Sequence, residues 1–143
     1  MNILILIINI FFSIIYANEY IWPNDYDGNI TATFSEPRNR RFHAGIDVRT
    51  FGEIGSNLYA INSGYIYRIT ISPNNYGKAV YLKLDDGNIV LYSHLNKFNK
   101  YTQNLVKQLY QKYQSSFFDH TLNNNQFIKI NKGEIIMAKI INI

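Results

Sequence analysis

Lys78-Ala79-Val80-Tyr81-Leu82-Lys83-Leu84, then Asp85-Asp86-Gly87-Asn88, then Ile89-Val90-Leu91-Tyr92-Ser93-His94: two alternating runs around a turn decide how this chain folds. Asp-Gly between alternating apolar runs is among the strongest short-range cues to a β-hairpin, because glycine accepts the backbone angles that tight hairpin turns require. Along the second arm Val90, Tyr92 and His94 share one face, and Ile89, Leu91 and Ser93 the other. His94 therefore stands at a strand end, where side chains leave the sheet and can line a cleft.

The flanking sequence carries the same pattern in both directions. Upstream, Tyr65 to Ile71 alternates so that Ile66, Ile69 and Ile71 fall mostly to one side, with a slip near Arg68 that marks a bulge. Leu58-Tyr59-Ala60-Ile61 is a further short strand between Gly55 and Asn62-Ser63-Gly64, and Pro73 to Gly77 is a loop. Ile30 to Phe34 reads as a first strand, closed by Pro37 and the arginines Arg38, Arg40 and Arg41. Downstream, Tyr101, Leu105, Leu109 and Tyr113 recur every four residues, supported by Val106 and Tyr110, which predicts one amphipathic helix between Lys97 and Ser116. Phe117 to Gln126 reads as a loop. Ile128 to Ile136 alternates around a glycine turn, the start of another hairpin with an unpaired edge beside Ile135 and Ile136. The expected fold is mainly β, an antiparallel sheet or sandwich with one helical insertion over 97–126.

Composition agrees. Twelve tyrosines and nine phenylalanines suit strands better than helices. With no cysteine there is no disulfide framework and no thiolate metal site, so a metal has to be held by His, Asp and Glu. The net charge of +4, spread over single lysines, is no nucleic-acid signature and is compatible with acidic partners such as wall polymers. Met1 to Ala17 is an apolar run without charge, shorter than the roughly 20 residues a membrane span needs and ending in a small residue. It reads as a helical secretory signal over 1–17 that leaves 18–143 as one domain, with an uncleaved anchor as the alternative.

One stretch carries chemistry. In Phe42-His43-Ala44-Gly45-Ile46-Asp47 an imidazole and a carboxylate, both ligand types for zinc, stand four residues apart. On an extended strand their Cα atoms would be about 13 Å apart, too far to close on one ion, so the chain has to bend, and Gly45 permits it. The alternative is a surface hydrogen-bonded pair. The arginines ahead of it are either a solvated loop or a basic rim near an acidic substrate.

These motifs together resemble the lysostaphin-type, LytM-like zinc metallopeptidases, which are peptidoglycan endopeptidases. The resemblance rests on Phe34-Ser35-Glu36, Phe42 to Asp47, the segment from Tyr59-Ala60 to Gly64-Tyr65, Asn75-Tyr76-Gly77-Lys78 and Leu91-Tyr92-Ser93-His94-Leu95, and covers about Trp22 to Ile136. It implies Zn2+ held by His43 and Asp47, with His94 as the catalytic histidine. It also implies a peptide of the peptidoglycan cross-links as substrate and a location in the bacterial periplasm or cell envelope. An envelope protein partner is compatible with that location, and no stable membrane insertion is expected once the signal is removed. The pattern departs where the family carries a His-x-His pair: Met137 to Ile143 has no histidine, so the third ligand is missing and the chain reads as truncated. His120, in the expected loop, is a poor substitute. The alternative is a degenerate, non-catalytic secreted domain that binds wall peptides or a partner protein.

Overall fold

The computed structural model describes residues 19–137 except Asp27, Glu53, Ile54 and Asn75. The leader expected over 1–17 lies outside the described residues. In chain order the strands are β1 (Ile30–Ala32), β2 (Pro37–Arg38), β3 (Arg41–Phe42), β4 (Asp47–Val48), β5 (Leu58–Tyr59), β6 (Gly64–Ile71), β7 (Lys78–Leu84) and β8 (Ile89–Tyr92). The helix α1 (Lys100–Tyr113) is followed by β9 (Phe118–Thr121), β10 (Ile128–Ile130) and β11 (Ile135–Met137). The described chain is mainly β, and all its pairings are antiparallel.

The Asp-Gly hairpin forms one side of a five-stranded sheet, with β8 at its edge. β7 pairs with β8, as the hairpin reading expects, with Val80 opposite Tyr92 and Lys83 opposite Ile89. β6 lies along its other side, and β9 and β10 both pair with the far edge of β6. The slip near Arg68 is a bulge, since the register shifts between Ile66 and Arg68. Alternation makes this sheet two-faced. Ile66, Ile69, Val80 and Leu82 are completely buried, whereas Lys83 and Ile89 are exposed. On the buried side the core is completed by Leu95, Phe98, Val106, Leu109, Leu122, Ile130 and Ile136. Tyr92 also points inward, where its phenol accepts from Ile61 N at 3.0 Å and burial pushes it up to about 12.

Three expectations need correction. The helix forms, but its buried residues are Thr102, Val106 and Leu109, and Tyr101 is exposed. The stripe is turned by about one residue because the N-cap Asn99 fixes the start: its side chain accepts from Thr102 N at 2.9 Å and donates to Ile135 O at 3.0 Å. The segment expected as a loop contains β9, whose Arg68 to Asp119 ion pair (2.5 Å) ties it to β6. Finally, β10 and β11 do not form a hairpin with each other. β10 joins β6 and β11 crosses to β5, and the edge expected beside Ile135 and Ile136 is met by Asn99, whose backbone N donates to Ile136 O at 3.0 Å. No helix among the described residues is long and apolar enough to cross a membrane.

Two predictions test this packing. A Cβ at Gly64 would overlap the Lys83 carbonyl and sit 2.8 Å from Leu84 Cα, so Gly64→Ala is expected to destabilise the domain by about 2–3 kcal/mol, read as a lower urea midpoint. Arg68 holds the Asp119 carboxyl below the usual carboxylate range through their hydrogen bond. A depressed folded-state pKa contributes stability above the unfolded value and loses it as pH falls through the folded one. Asp119→Asn should therefore melt earlier than the wild type at neutral pH, with the gap closing in strong acid.

Candidate metal centre

Two separate pieces of backbone build the site. β2 and β3 form a ribbon that pairs Pro37 with Phe42 and Arg38 with Arg41, and Arg40 makes its turn with φ 68°. Ser35 N donates to His43 O (2.8 Å) and His43 N donates to Glu36 O (2.9 Å), so the ribbon's pairing runs on to seat His43. Asp47 is placed by β4 against β1, opposite Ala32, and Thr31 Oγ1 donates to its carbonyl at 3.1 Å. The chain bends at Gly45 as expected. The bend does not use glycine's special freedom, however, because Gly45 has no positive φ and has open space where a Cβ would go.

That bend brings the two side chains together. His43 Nε2 lies 3.3 Å from Asp47 Oδ1, and His43 Nδ1 lies 2.9 Å from the Thr33 carbonyl oxygen. A carbonyl only accepts, so Nδ1 carries the hydrogen, and in the neutral ring Nε2 keeps its lone pair. Two lone-pair donors facing each other at this distance repel unless a proton or a cation lies between them. A tetrahedral ion about 2.0–2.2 Å from each donor sets those donors about 3.3–3.5 Å apart, which is the spacing found. The remaining oxygen of Asp47, Oδ2, receives Arg38 Nη2 at 2.5 Å. Among the described residues no group of three or more His, Cys, Asp or Glu is placed to hold a metal. The pair thus fits two ligand positions of an ion.

His94 faces the same space. A groove of about 660 Å³ is lined by His43, Asp47 and His94, by Arg38 and Arg41, and by Phe42, Ile46, Tyr76, Ile89 and Leu91 among others. Strand parity gave His94 the face of Tyr92, but Tyr92 is buried and His94 is exposed in the groove. The strand ends at Tyr92, and His94 takes a left-handed backbone with φ 56°, which breaks the alternation. His120 is elsewhere. It pairs with Ile69 on β9, its Nδ1 is 2.7 Å from the Tyr113 hydroxyl, and it does not line the groove.

Sequence reasoning missed two contributors. The Thr33 carbonyl that fixes the His43 tautomer has no side-chain signature. Tyr76 stood inside a quoted motif, but only the fold shows that it lines the groove. No protein-family model, curated protein or solved structure matches the chain, so what the site does has to be argued from its own geometry.

A non-glycine residue in the left-handed region costs about 1–3 kcal/mol and persists only when its surroundings impose it. Retaining histidine there is a cost to the fold that a role for its side chain explains. His94→Gly is therefore expected to be at least as stable as the wild type in urea denaturation, since relief of the left-handed backbone offsets the chain entropy that glycine adds. A clear loss of stability would show that the imidazole serves the fold.

Proposed function

We propose that the chain is a zinc metalloendopeptidase of the lysostaphin type, cleaving peptide bonds in peptidoglycan cross-links at the bacterial cell envelope. The observation that carries this reading is the 3.3 Å separation of His43 Nε2 and Asp47 Oδ1, with His94 in the same groove. His43 and Asp47 are the residues that would hold the ion. Zinc held there would supply Lewis acidity toward a scissile carbonyl and would lower the pKa of water so that hydroxide is available as nucleophile near neutral pH.

The protein's own groups supply the rest. Thr33 O holds the His43 ring in one tautomer, the second-sphere contact that ligating histidines usually make. His94 offers an imidazole, the side chain suited to taking up and returning a proton near neutral pH. Exposed Phe42, Ile46 and Ile89 give the groove an apolar rim for aliphatic side chains of a peptide. Arg41, which has no ion pair among the described residues, offers a cation to a carboxylate of the same peptide. The apolar leader expected at 1–17 supports a secreted location.

One observation favours a second reading. A third donor does not join His43 and Asp47 among the described residues, as in a domain that binds wall peptides or a partner protein without cutting. The two readings separate in one experiment: purified protein is incubated with cross-linked muropeptides, with and without zinc, and new amino termini are counted. The peptidase reading expects zinc-dependent release that a chelator abolishes and that His43→Ala, Asp47→Ala and His94→Ala each lower by about 100-fold or more. Peptide binding without release, unaffected by chelator, is the outcome of the binding-domain reading.

A further inference from the structure

Arg38 stands closer to the candidate centre than a rim residue needs to. Its Nη2 is 2.5 Å from Asp47 Oδ2, the carboxylate oxygen that does not face His43. Apart from Arg38 and His43, the Asp47 carboxylate has no hydrogen-bond or ion-pair partner among the described residues, and its side chain is 44% exposed. An Asp side chain so placed turns freely about two torsions. Only the guanidinium ties Oδ2 down and leaves Oδ1 directed at His43 Nε2.

The same ribbon carries both halves of this arrangement. Arg38 lies on β2, and His43 follows β3 directly. Arg41 pairs with Arg38 across the ribbon and lines the groove but, among the described residues, makes no ion pair with Asp47, so the two arginines add equal charge while one alone makes the contact.

We infer that Arg38 is a positioning residue for the candidate metal centre, orienting Asp47 so that a single carboxylate oxygen is presented to a divalent ion beside His43. The inference rests on the reading of His43 and Asp47 as metal ligands. Its physical basis is that carboxylates which ligate metals are themselves held by outer hydrogen bonds, and that losing such a partner weakens metal binding about 10–100-fold. A positive charge near the ion acts in the opposite direction, and Arg41 provides the means to subtract it. Lysine at position 38 is a point charge without the planar fork of arginine, so it can restore part of the contact.

The test is calorimetric titration of zinc into wild type, Arg38→Ala, Arg38→Lys, Arg41→Ala and His43→Ala, with thermal melts of the metal-free proteins to check that each is folded. The expected result is a loss of about 10–100-fold in zinc affinity for Arg38→Ala, an intermediate loss for Arg38→Lys, and no loss for Arg41→Ala. A merely structural role would move the melts and leave the affinities of the folded variants alike. If wild type binds zinc through His43 and Arg38→Ala binds as tightly, the positioning role is overturned while the metal reading stands. If wild type binds no more tightly than His43→Ala, both are overturned.

Discussion

The antiparallel pairing of β7 with β6 on one side and β8 on the other sets the two faces on which everything else is arranged. Because side chains alternate along each strand, one register serves two purposes. Val80, Leu82 and Leu84 turn inward to a core closed by α1, β10 and β11, while Ile89 and Leu91 of β8 line the groove. A one-residue slip would exchange core and groove. The close approach at Gly64 opposes such a slip. Only a residue without a side chain fits where β6 meets the Lys83 carbonyl, so the place where the two strands meet is marked by a steric requirement as well as by hydrophobic patterning.

The groove side borrows rigidity from small elements. β1 with β4 and β2 with β3 are ribbons of two or three residues that could not stand alone. Each carries part of the site: His43 emerges from one and Asp47 begins a strand of the other. They are joined by main-chain and side-chain bonds rather than by a core, with Ser35, Glu36 and Thr33 all bonding His43. In the interior Asn99 does a comparable task. One buried asparagine caps α1 and bonds the carbonyls of Ile135 and Ile136, so the helix start and β11 are fixed to each other.

Much of this was legible in the sequence, and the parts that were not share a cause. The hairpin from Lys78 to Tyr92 and the bulge at Arg68 were readable because they depend on local alternation and turn chemistry. β9 was not, because Phe118-Asp119-His120-Thr121 has little apolar alternation and is held as a strand by pairing with β6, a contact about 50 positions away in sequence. The partners of β10 and β11 were misread for a related reason: a glycine turn between alternating runs is compatible with a hairpin, and the choice of different sheets is made by tertiary packing. At the site, the residue types of His43, Asp47 and His94 and the bend between the first two were visible. The tautomer of His43 and the side of the sheet taken by His94 were not, since a backbone carbonyl and a left-handed φ decide them.

The backbone at His94 has a sufficient physical explanation in the loop opposite it. His94 N donates to Tyr76 O at 2.9 Å, and Leu95 N donates to Lys78 O at 3.0 Å. Lys78 Nζ in turn donates to Asn96 O at 2.7 Å. Three consecutive residues, His94 to Asn96, are thus bonded to the segment that runs from Tyr76 to Lys78, and Gly77 lies directly against His94. These bonds can all form only if the chain turns sharply after Tyr92, and the turn is what throws the imidazole from the core face into the groove. Tyr92 makes the turn obligatory from the other side, since its buried phenol accepts from Ile61 N and cannot rotate outward without leaving that donor unpaired. The strain at His94 is therefore offset by contacts that the sheet already provides, and the position of its side chain follows from the same pairing that builds the core.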